Sequence, residues 1–207
     1  MKKILLCLTV SLVTAGFSAH AVAAFPSSAP TAIVLIDADS TAALLDKAVT
    51  ANAKGAKAET VQALQAGTAA LETEAKSTTG SFKDKLLAQV ANLKKLLPLA
   101  QSGLLKGDVL QKAVSLAKTA LGAGQIEKLM GGGNLVSKVA SLTSNLNLVK
   151  TGLSVLGGSN ASTGNSLVTT ALGGLSKLSK GGVVAKAAEP AVKGQLDSVL
   201  GFVKGIL

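Results

Sequence analysis

The chain has 207 residues, with 21 lysines against 11 acidic residues and a formal net charge of +10. It contains no arginine, tryptophan or tyrosine, and its aromatic content is 2% against 48% hydrophobic residues. So much apolar content excludes the low-hydropathy composition of disordered chains, and the missing residue types remove most ordinary active sites.

The N-terminus reads as an address. Lys2 and Lys3 precede an uncharged, mostly apolar run from Ile4 to Ala15, and small residues follow, with Ala-x-Ala matches at Ala21-Val22-Ala23 and Ala19-His20-Ala21. This is the pattern of a secretory signal peptide, and the run is shorter than the ~20 residues that span a bilayer. Cleavage is expected before Ala24, with Val22 as the alternative start. It removes Cys7 and His20, the only cysteine and the only histidine. The expected mature chain keeps nineteen lysines against eleven acids, a net +8. From Pro98 onward there are eleven lysines and four acids, so the basic character belongs to the C-terminal part. Residues 24–80 form a charge-balanced, Ala-rich segment, and residues 81–207 a basic, Gly-rich one.

Pro26 and Pro30 mark a short extended leader, and Ala32–Ile36 is an apolar run too short to type by periodicity. Ser40–Ser77 is rich in helix formers, with Val61, Leu64, Leu71 and Ala75 on one face; one helix, or two broken near Gly55, fits. Ser77–Gly80 is a polar turn. Ser81 is placed to cap a helix whose inward stripe is Phe82, Leu86, Val90, Leu93 and Leu97, ended or kinked by Pro98. Asp108 opens another, with Leu110, Val114, Ala117 and Leu121 inward and Gly122 and Gly124 as its stop.

The strongest periodicity follows Gly131-Gly132-Gly133, with Asn134 as expected N-cap. Leu135, Val139, Leu142, Leu146, Val149, Leu153 and Leu156 alternate four- and three-residue steps, a heptad seam that must press on another helix or an apolar surface. The partner surface is either the chain's own bundle core or another protomer. Gly157–Ser166 reads as a loop carrying a glycosylation-type sequon at Asn160-Ala161-Ser162. A short helix then carries Leu167, Ala171, Leu175 and Leu178. Pro190 is expected in the first turn of a last helix with Val192, Leu196, Val199, Val203 and Ile206 inward. The fold class is therefore all-α, a bundle of about five to six amphipathic helices.

Without histidine or cysteine, neutral-pH acid-base catalysis, Ser–His or Cys–His nucleophiles and His/Cys metal sites are not expected. Ile33-Val34-Leu35-Ile36-Asp37-Ala38-Asp39-Ser40-Thr41 resembles the first motif of haloacid-dehalogenase-like phosphatases, in which an apolar strand delivers a nucleophilic Asp with a second acid two residues on and Mg²⁺ between them. The resemblance covers only this stretch. No βα alternation and no acidic cluster follow it, and the stretch reads as an apolar leader and a helix start. Specific nucleic-acid binding is not expected either, since arginine and stacking aromatics are missing.

The expectation is an exported, periplasmic or extracellular, non-enzymatic helical protein that needs no cofactor and acts through apolar helix faces. Its first reading is structural or self-assembling, as a homo-oligomer or with a protein partner, aided by the Gly-x-x-x-Gly pairs Gly103/Gly107 and Gly201/Gly205. The alternative is a cationic protein that binds or permeabilises an anionic membrane surface, with Lys138, Lys150, Lys177, Lys180, Lys186, Lys193 and Lys204 as contacts. If the seam lies in the chain's own core, Leu146→Ala or Leu153→Ala costs about 2–5 kcal/mol of stability in denaturant titration. A loss near zero would mean that the seam faces solvent in the monomer.

Overall fold

The computed structural model describes residues 38–207, which carry seven α-helices, one 3-10 turn and no strand. The helices are α1 (Ala38–Ala53), α2 (Lys57–Ser77), α3 (Lys83–Ser102), α4 (Gly107–Gly131), α5 (Val139–Leu156), α6 (Gly158–Leu178) and α7 (Gly182–Ile206), with the 3-10 turn at Val136–Lys138. The expected signal peptide, the Pro-rich leader, the Ala32–Ile36 run and Asp37 lie outside the described residues. Asp39 sits in the first turn of α1, where both of its carboxylate oxygens accept from the Ser144 hydroxyl at 3.0 Å.

The arrangement is organised around α4. A surface helix is apolar on one stripe and a central helix is apolar or small all round, and α4 is of the second kind. Val114, Ser115 and every residue from Ala117 to Gly124 are buried, and so is Ile126. One side of α4 meets a cluster built by α1, α2 and α3 around Leu45, Leu64, Leu71, Leu86 and Leu93. Its C-terminal half meets a second cluster from α5, α6 and α7 around Leu142, Leu146, Leu153, Val168, Leu175 and Leu196. Phe82, at the entrance to α3, is fully buried in that second cluster and so ties the two halves together.

The closest approach is between α4 and α5. An added Cβ at Gly122 would lie 2.8 Å from the Asn145 carbonyl oxygen, and one at Gly152 would lie 2.6 Å from the Ser115 carbonyl oxygen. Each glycine thus faces the other helix's backbone, which cannot give way as a flexible side chain can. Lys118 is buried on α4, and the exposed Asp46 carboxylate of α1 accepts hydrogen bonds from its side-chain nitrogen at 2.6 and 2.8 Å. On the surface, Glu72 joins α2 to α3. Its hydrogen bond with Lys94 at 2.7 Å, and then its pair with Lys76 at 3.0 Å, lower its pKa from the ordinary 4.5 to about 2.

Several local expectations are corrected by packing. The break at Gly55, with φ of 70°, does divide Ser40–Ser77 into two helices. Gly122 and Gly124, expected to end a helix, instead lie inside α4, because their small size is needed where α5 and α3 approach. Pro98 lies within α3, which ends four residues later, and Pro190 lies well inside α7 rather than in its first turn; both are on exposed sides. Ser81 makes no cap for α3. Instead Glu127, reaching from α4, accepts the backbone N–H groups of Ser81 and Phe82 at 3.2 and 3.3 Å and the Ser81 hydroxyl at 2.5 Å. A carboxylate at that positive helix end satisfies free donors as a local cap would.

Asn134 is not the cap of α5 either. It takes a left-handed φ of 39° and leads into the 3-10 turn, so α5 begins five residues later. Gly157–Ser166 is not a loop: Gly157 and Gly158, both with positive φ, turn the chain, and α6 starts at Gly158 because Ala161 and Gly164 pack inward. The sequon therefore sits in a helical turn. Gly103 ends α3 in a left-handed conformation and Gly107 opens α4, so that Gly-x-x-x-Gly pair is a corner and not a helix face.

The helical glycines separate two opposite effects. Gly152→Ala is expected to cost about 1–3 kcal/mol from overpacking against backbone. Gly194→Ala, where a Cβ meets nothing within 4 Å, is expected to gain about 0.5–1 kcal/mol from helix propensity. Urea unfolding of the two variants checks the contrast.

Candidate functional site

The heptad residues are used up within the chain. Leu135, Leu142, Leu146, Val149 and Leu153 are buried in the second cluster, and Val139 and Leu156 are half-buried against it. α5 therefore presents no apolar seam outward, and the surface chemistry lies elsewhere.

The seven candidate lysines are not one patch. Lys138 is half-buried and donates to the Leu129 carbonyl at 2.7 Å, closing the C-terminus of α4. Lys150 stands apart, half-buried on α5. The other five are exposed and gather on the last helix and the corner before it. Lys186, Lys193 and Lys204 are spaced by seven and eleven residues, and both steps return to the same face of an α-helix. They form a line along α7 that flanks its buried face of Ala185, Val192, Leu196, Val199 and Val203, about a quarter turn away around the helix.

That line is one wall of a groove. The other wall is the end of α4 and the Gly131–Ser137 turn. Three adjoining hollows run along it. The first, about 330 Å³, lies among Glu127, Met130, Asp197 and the lysines Lys193 and Lys204. The middle one, about 320 Å³, lies among Met130, Gly133, Leu135, Pro190 and the lysines Lys186 and Lys193. The third, about 580 Å³, lies among Asn134, Ser137, Gly182, Lys186 and Glu189. Glu189 fastens the two walls, since its carboxylate accepts the Leu135 N–H at 3.0 Å. At the far end, Lys204 stands 3.8 Å from Glu127 and 5.5 Å from the centre of the Phe82 ring.

Lys177 and Lys180 close α6 and flank the corner to α7, where Gly181 and Gly182 both have positive φ. That corner projects Val183 and Val184, which are 83% and 56% exposed. Among the described residues they are the most solvent-exposed pair of adjacent aliphatic side chains. A second apolar corner, Leu99, Leu104 and Val109, lies between α3 and α4.

Sequence reasoning found the lysines and missed what surrounds them. Met130, Pro190 and Glu189 carry no motif, and only the return of α7 alongside the Gly-rich turn gives them a common purpose. The exposed Val183-Val184 pair next to Lys180 and Lys186 was visible as sequence, but nothing local distinguishes it from a buried helix start. Among the described residues no group of three or more His, Cys, Asp or Glu side chains is arranged to hold a metal ion. No helix among them is long and apolar enough to cross a membrane. No protein-family model, curated protein or solved structure matches this chain.

Proposed function

We propose that this is an exported, non-catalytic helical protein that works by surface contact, and that its partner is an anionic membrane surface met by the α6–α7 corner and the lysine line of α7. The observation that carries the reading is the corner itself. Two exposed valines stand among Lys177, Lys180 and Lys186, the pairing of apolar insertion and cationic attraction that peripheral membrane contacts use. Each lysine near an anionic surface adds about 1 kcal/mol, and Lys193 and Lys204 extend the field along the helix. Binding of this kind leaves the core intact, because the apolar face of α7 stays packed inside.

Self-association is the second reading. It is supported by Ala187, Ala191, Gly194, Ser198, Gly201 and Gly205, which recur at steps of four and three along α7 and are all exposed. Added Cβ atoms at its three glycines meet nothing within 4 Å, so another helix can approach closely there.

Co-sedimentation with phosphatidylglycerol-containing vesicles at low salt tests the first reading. Bound protein is expected, released as salt screens the lysines. Lys180→Gln and Lys186→Gln should each weaken binding about fivefold, and Val183→Ser with Val184→Ser should weaken it further. Absence of co-sedimentation, together with a solution mass that rises with protein concentration, would reject the membrane reading in favour of self-association.

A further inference from the structure

We infer that the middle hollow of the α7 groove is a binding site for a single anionic amphiphile, an alkyl chain ending in a carboxylate or phosphate. The inference rests on the reading that the α7 lysines meet anions, and goes further in assigning one molecule to one place.

The three hollows differ in chemistry. The first contains the carboxylates of Glu127 and Asp197 beside its lysines, which repel an incoming acid. The third is the largest and has Val136 and Ala185 as apolar wall, but it sets Lys186 alone against the Glu189 carboxylate, which leaves no surplus cation for an acid. The middle hollow combines what an amphiphile needs. Met130, Leu135 and Pro190 provide apolar wall, and Lys186 and Lys193 stand one above the other on the α7 side. Its one acid, Glu189, already has Oε1 occupied by the Leu135 N–H. Neither lysine forms an ion pair among the described residues, so two ammonium groups face one half-enclosed space. A single acidic headgroup between them relieves that repulsion, and its charge complements theirs.

Size and access agree. The volume of about 320 Å³ is near the lower end of the roughly 300–1,000 Å³ typical of small-molecule sites, which suits one short chain and not a two-chain lipid. Gly133 has φ of 61°, and a Cβ there would meet nothing within 4 Å, so the turn leaves the hollow open at its rim.

Titration calorimetry of the purified exported protein with dodecanoate, below its micelle concentration, tests the site. Saturable binding of one dodecanoate per chain is expected, while inorganic phosphate and dodecanol each bind far more weakly. The double variant Lys186→Gln/Lys193→Gln, on exposed positions and checked by circular dichroism, should weaken dodecanoate about tenfold or more. Met130→Gln should weaken dodecanoate while leaving binding to anionic vesicles unchanged. Absence of saturable binding, or equal affinity in the double lysine variant, would overturn the site. Vesicle binding retained without dodecanoate binding removes this site alone. Dodecanoate binding retained without vesicle binding removes the membrane reading and leaves the site standing.

Discussion

The near contact of the α4 and α5 backbones is the constraint on which the rest of the structure depends. A chain with almost no aromatic side chains cannot fill wide gaps between helices, so its core must be made by bringing helices close. Gly122 and Gly152 allow this at one crossing, each facing a carbonyl oxygen of the other helix. The cost is lower helix propensity at both positions, offset by dispersion contacts along the whole interface. With α5 held against it, α4 becomes a central helix on which one cluster forms from α1 to α3 and another from α5 to α7.

That geometry decides which surfaces are left over. The heptad face of α5 is used internally, and α7 lies at the edge, engaged through its apolar stripe and through Glu189 and Lys204. Its outer side carries small residues and the lysine line, and the end of α4 supplies the opposite wall of the groove. Glu127 and Glu189 illustrate how few polar groups do the fastening. One closes the start of α3 and the other pins the Gly-rich turn to α7. The charge left unbalanced on this side is therefore positive, and it lies beside the most exposed aliphatic corner of the fold.

Much of this was legible in the sequence, and the exceptions have physical causes. The all-α class, the break at Gly55, the inward stripe of α3 and the buried face of α7 all follow from apolar spacing, which reports directly on burial. Gly122, Gly124 and the Gly158–Ser166 stretch were misleading, because local propensity counts a glycine's backbone cost and cannot see the neighbouring helix that its small size admits. Pro98 and Pro190 were misleading for a related reason: on an exposed side of a helix held by packing, the carbonyl left without a partner can turn to water. Ser81 and Asn134 had the right chemistry for caps, yet distant carboxylates and a left-handed turn took over the task. The lysines could be named one by one from the sequence, but the groove they share exists only through tertiary structure.

Native-state hydrogen exchange tests the central role of α4 most directly, since it ranks local opening against global unfolding. The slowest amides are expected in α4 between Val114 and Ile126 and in α5 between Leu142 and Leu153, with the first turn of α7 exchanging far faster. If α4 amides instead exchanged as quickly as that outer turn while another helix pair carried the protection, the helix would not be the organising element and the account built on it would fail.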